Sequence, residues 1–136
     1  MKIIVAIGLG SFIGGVGRYL LSQLIQVKGA VAFPIGTLGV NLLGCFLIGV
    51  VFGLAEKGNL SQEWRLFLAT GVLGGFTTFS AFSYETVSLL RAGQFGYAVT
   101  YVAASILLGL LLTLAGMTFP KPVSYTHLTL PTILLV

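Results

Sequence analysis

The residues of this sequence able to do chemistry are mostly neutral. The richest run of them is Gly71-Val72-Leu73-Gly74-Gly75-Phe76-Thr77-Thr78-Phe79-Ser80-Ala81-Phe82-Ser83-Tyr84-Glu85. The hydroxyls of Thr77, Ser80 and Tyr84 recur at i, i+3 and i+7, while Phe79 and Phe82 stand three apart on an adjoining face. A hydroxyl can donate to an anion, and the positive edge of a phenyl ring can face an anion without adding a full charge. Rings at this spacing also suit packing or lipid contact, so spacing alone leaves both readings open. The paired glycines add a second expectation. Gly costs about 1 kcal/mol relative to Ala in a helix, and the segment is predicted to break where the paired glycines Gly74-Gly75 lead into Thr-Thr, with Thr77, Ser80 and Tyr84 following the break. Inside a bilayer a break is tolerated only where protein or a water-filled cavity satisfies the freed amides and carbonyls. Freed carbonyls can hold a small cation; a plain packing kink is the alternative.

Asn41 is the strongest single polar residue in a long apolar run, with Thr37 one turn earlier on the same face. Its amide offers two donors, which suits either an anion or a neighbouring helix. Tyr101 and Ser105 stand four apart and extend a polar track or bond to another helix. Arg18 is costly in an apolar stretch: it snorkels to the interface or attracts anions. The single cysteine, Cys45, excludes a disulfide framework and a Cys/His metal spacing.

The elements that must position these residues are membrane helices. Of 136 residues 57% are hydrophobic and 7% charged, far below the roughly 25% charge of soluble domains. About 20 apolar residues cross a hydrocarbon core, and four stretches qualify: 3–26, 33–55, 65–90 and 95–119. The apolar start runs well past a ~7–15 residue signal-peptide core and is read as mature protein. Lys28-Gly29, 56–63 and Arg91-Ala92-Gly93-Gln94 form short connections. Ser61 and Glu63 suit a helix start, with Trp64 at headgroup level. Basic residues fall almost equally on the two sides, Lys2, Lys57, Arg65 and Lys121 against Lys28, Arg91 and Arg18, a bias weak enough to permit dual topology. Small-residue pairs Gly10/Gly14, Gly49/Gly53 and Gly71/Gly75 suit close helix contact, within one chain or between subunits.

Gly36-Thr37-Leu38-Gly39-Val40-Asn41-Leu42-Leu43-Gly44, Gly74 to Ser83 and Gly14 to Tyr19 together closely resemble the Fluc family of small fluoride channels. The resemblance covers residues 3–119, all four spans in order. It implies an all-α membrane protein whose third helix is broken at its centre. It also implies an antiparallel, dual-topology homodimer in the cell inner (plasma) membrane, exporting fluoride passively and lowering its toxicity. Asn41 matches the pore asparagine, and Phe79 and Phe82 match the paired rings that contact fluoride. Ser80, Ser83 and Thr37 fall on the polar track, with Tyr101 and Ser105 matching fourth-span lining positions. Gly74 and Thr77 match the positions whose carbonyls, from both subunits, hold a structural Na+ that is not transported. Arg18 matches the first-span arginine and Glu85 the acidic position after the motif.

Residues 1–119 thus form one channel domain, and 120–136 depart from the family pattern and read as an appended, non-native tail. His127 in it is a lone residue. An enzyme is disfavoured, since no nucleophile, metal cluster or phosphate loop stands out. Nucleic acid is disfavoured too, for want of a basic cluster. The runner-up is a small dual-topology multidrug exporter, for which an acidic residue is expected in the first span; residues 3–26 contain none. A noncatalytic assembly subunit is a third reading, which leaves Asn41 and the Phe/Ser run unused.

Overall fold

A computed structural model of the chain describes residues 1–26 and 33–119. Lys28-Gly29 and the tail 120–136 lie outside them, so the expectations placed there are not addressed by the fold. Helix α1 spans Lys2–Ile25 and α2 spans Ile35–Glu56. The third span, Gln62–Arg91, bends. Its first part, α3, covers residues 62–76, and its second part, α4, is Phe79–Arg91. Helix α5 is Phe95–Thr118. All regular structure among the described residues is helical, and four helices are long and apolar enough to cross a membrane.

Local chemistry sets the ends. The Ser61 hydroxyl accepts the Trp64 N–H at 3.3 Å, capping α3, with Glu63 in the first turn where a negative charge suits the helix dipole. After α2 the chain turns through Gly58 at φ +73, and after α4 through Gly93 at φ +77. In both turns the glycine and the next residue bond back to the last carbonyls, Asn59 N–H to Leu54 O at 3.1 Å and Gln94 N–H to Leu89 O at 2.8 Å. Only glycine adopts that left-handed backbone without penalty.

Packing runs through backbone contact. A methyl group added at Gly14 would strike the Val72 carbonyl oxygen, and one at Gly75 would sit 2.5 Å from that of Ser11. Gly10 and Gly71 complete this seam between α1 and α3. Gly49 and Gly53 do the same against the Thr113 to Met117 backbone of α5, where Gly116 faces them. All three glycine pairs noted in the sequence are therefore used inside one chain, and dispersion between touching backbones replaces the hydrophobic drive that lipid removes. Buried large side chains are few. Val40 and Tyr101 are fully enclosed, whereas Phe12, Leu24, Leu107 and Leu110 point outward, as lipid-solvated helices allow.

Candidate functional site

The site forms where the third span bends. The middle turns of α3, Leu66–Leu73, are wound wider than an α-helix, and the Gly74 N–H reaches back to Ala69 and Gly71 carbonyls. Such π-type turns often mark functional positions. Thr77 (φ −91, ψ 154) and Thr78 (φ −150, ψ 119) are extended, and helix resumes at Phe79. The Thr77 hydroxyl donates to the Leu73 carbonyl at 2.9 Å, beside the Thr77 N–H at 3.0 Å. Thr78 caps α4, its Oγ1 accepting the Ala81 N–H at 3.2 Å and meeting the Ser80 hydroxyl at 3.0 Å.

The peptide of Thr78 is completed from α2. Asn41 Nδ2 donates to the Thr78 carbonyl at 3.2 Å, and the Thr78 N–H donates to Asn41 Oδ1 at 3.0 Å. One side-chain amide thereby replaces the helical partners that an extended residue has lost. From α1, Arg18 Nε donates to the Gly75 carbonyl at 3.3 Å. Arg18 is thus tied to the bend, where the sequence offered snorkelling or anion attraction.

Beside the bend lies a cavity of about 390 Å³ lined by Asn41, Gly74, Thr77, Thr78, Phe79, Phe82 and Ser105, with Cys45 and apolar neighbours. Polar donors and two phenyl rings thus share one mostly apolar chamber. Phe79 and Phe82 stand 5.5 Å apart at 44°, Phe79 exposed and Phe82 half-buried. Phe82 in turn meets Tyr101 at 5.2 Å.

Other expected positions lie off the cavity wall. Ser80 and Ser83 are exposed on α4. Thr37 donates to Glu85 Oε1 at 2.6 Å, linking α2 to α4. Tyr101 is fully buried against Phe82, Phe33 and Leu89, and its hydroxyl has no partner among the described residues. The i, i+3, i+7 track through Thr77, Ser80 and Tyr84 does not hold as one helical face. Two extended residues interrupt the period, and the Thr77 hydroxyl turns back to Leu73. Thr78 was missed by the sequence reading although a Thr directly ahead of a helix is a cap signal. The Thr37 to Glu85 bond had no local signal, being set by how α2 meets α4.

The family model described as CrcB-like protein, Camphor Resistance (CrcB), matches residues 5–117. A protein named fluoride-specific ion channel FluC from Thermus thermophilus is 51% identical over 110 residues, covering 81% of this chain and 88% of the relative. Proteins of the same name from Chlorobium phaeobacteroides and Granulibacter bethesdensis are 47% and 52% identical, over 85% and 73% of this chain and 90% and 79% of theirs. Matched across nearly its whole described length, the chain belongs to the CrcB-like family of multi-pass membrane proteins.

Proposed function

We propose that the protein is a fluoride-specific ion channel that lets fluoride leave the cell passively across the inner membrane, lowering its cytoplasmic toxicity. The observation that carries the reading is the cavity at the bend, whose polar lining is neutral and whose wall includes the ring pair. The shared name of relatives about half identical in sequence supports it. A small, strongly hydrated anion needs compact donors in place of its water, yet must be held loosely enough to leave. Asn41 and Ser105 on the cavity wall and the exposed Ser80 and Ser83 would supply donors, and Phe79 and Phe82 ring edges; Thr37, whose hydroxyl is given to Glu85, and the enclosed Tyr101 would have to turn to join them. No aspartate occurs in the sequence, Glu56 and Glu63 stand at helix ends, and Glu85 is engaged by Thr37, which favours flow down a gradient over proton-coupled export.

Four helices enclose the cavity only in part, so a second, antiparallel copy would complete the pathway as a homodimer. A structural Na+ fits the bend by its chemistry. Carbonyl oxygens are hard donors, no cluster of His, Cys, Asp or Glu competes among the described residues, and Gly74 is open, an added methyl meeting only the Ala69 carbonyl at 3.6 Å. Gly74 and Thr77 carbonyls would hold the ion, which supplies fixed positive charge between the two copies.

Purified protein in fluoride-loaded liposomes should release fluoride to an ion-selective electrode when valinomycin carries the compensating K+, with chloride retained and no proton gradient needed. Release of chloride at the same rate, or release that stalls without a proton gradient, would refute the reading.

A further inference from the structure

We infer that Arg18 is a positioning residue whose Nε–H holds the Gly75 carbonyl at the bend, so that the place of this donor matters and the net charge does not. In an unbroken helix the Gly75 carbonyl would accept the N–H of residue 79. Extended backbone at Thr77 and Thr78 carries that N–H away and orphans the carbonyl.

The orphan cannot turn to the cavity. Gly75 is absent from the cavity lining, and it faces α1 so closely that an added methyl would lie 2.5 Å from the Ser11 carbonyl oxygen and 3.0 Å from the Ser11 Cα. A partner must therefore come from α1, whose backbone N–H groups are occupied within its own helix. The register of α1 is fixed where Gly14 meets Val72 and Phe76, and Gly17 lies 3.9 Å from the Phe76 ring by its missing methyl. Arg18 follows Gly14 by one turn on the same face, which brings it to the bend. Its side chain reaches Gly75 with Nε, at 3.3 Å. With Asn41 serving Thr78, the bend is then completed by one side chain from each of the two preceding helices. A charged residue in a span is expensive to insert, and a bond to an orphaned carbonyl at mid-span is a reason to retain one.

The bond counts of alternative side chains separate donor position from charge. Glutamine carries a neutral N–H as many bonds from the backbone as Arg Nε, lysine keeps the charge but has no donor at that atom, and methionine has neither. Gly75-Phe76 is the only Gly-Phe pair in the sequence, so protein labelled with carbonyl-13C glycine and 15N phenylalanine gives one amide–carbonyl correlation, reporting the Gly75 carbonyl. In monodisperse protein in micelles, Arg18→Met and Arg18→Lys should move that carbonyl resonance upfield, as loss of an accepted hydrogen bond does, and Arg18→Gln should stay near the parent. An unmoved resonance in Arg18→Met overturns the inference.

The functional consequence rests on the proposed channel activity. In liposomes, Arg18→Gln should keep fluoride release within about threefold of the parent, while Arg18→Met and Arg18→Lys lose about tenfold or more, the loss expected when a carbonyl away from water is left without a donor. Release retained by Lys and lost by Gln would make charge the operative property and overturn the inference. Should the parent itself release no fluoride, the channel reading fails and the carbonyl resonance alone decides the role of Arg18.

Discussion

Replacing Asn41 with alanine removes both bonds that pair its amide with the Thr78 peptide, at 3.2 and 3.0 Å. The peptide is extended at mid-span, so neither its N–H nor its C=O regains a helical partner. Each buried group left unsatisfied costs about 1–3 kcal/mol, giving roughly 2–6 kcal/mol if both stay dry. The adjoining cavity of about 390 Å³ has room for water, which brings the expected loss toward the lower end, about 2–3 kcal/mol. The assay is SDS-driven unfolding in mixed micelles, read by Trp64 fluorescence. Cys45→Ala is the control: it shares α2 and the cavity wall but removes a single sulfur, for which about 1 kcal/mol or less is expected. An Asn41→Ala protein no less stable than Cys45→Ala would refute the reasoning, because it would mean the Thr78 peptide does not depend on α2. Fluoride release should fall with it, since both the donor and the shape of the bend are lost.

Gly14→Ala should cost about 1–3 kcal/mol because its methyl meets the Val72 backbone, which cannot step aside. Gly15→Ala, next to it in open space, should be neutral or gain up to about 1 kcal/mol of helix propensity; thermal unfolding in detergent compares the two. Thr37→Val removes the 2.6 Å bond to Glu85 and should cost about 1–2 kcal/mol, the low side for bonds to charged groups because Glu85 is only half-buried, measured by the same unfolding. Phe82→Leu loses ring contacts to Phe79 and Tyr101, about 1–3 kcal/mol together, and should also depress fluoride release. Phe46→Leu loses its ring pairing with Phe119, away from the bend, and release should survive it.

Much of the architecture was legible because membrane helices announce themselves by length and apolarity. The four expected spans differ from the observed ends by no more than three residues, the largest difference being the start of the third span. There Ser61 caps the helix ahead of Glu63 and Trp64, polar and interfacial residues that a hydropathy window leaves out. Gly74-Gly75 ahead of Thr77-Thr78 marked the place of the bend because glycine and β-branched residues weaken a helix locally. What lay across the fold was less readable. Asn41 stood out by its cost in an apolar run, but its partner 37 residues away is a peptide of the bend, which no local spacing specifies. Arg18 likewise was visible as a cost and not as a bond to Gly75. The hydroxyl period was misread because 3.6-residue geometry was carried through two extended residues. Glycine spacing indicated close contact without saying whether within or between chains, since a small residue records only that something comes near.

The bend in the third span draws on helices that precede it in the chain, and that ordering matters during synthesis. A ribosome delivers Arg18 and Asn41 to the bilayer before Thr77 and Thr78 exist. The donors and acceptors that this irregular segment requires are therefore already waiting when it leaves the translocon. The same four segments joined in reverse sequence would release a kinked, unpaired backbone into hydrocarbon first, with nothing there to receive it.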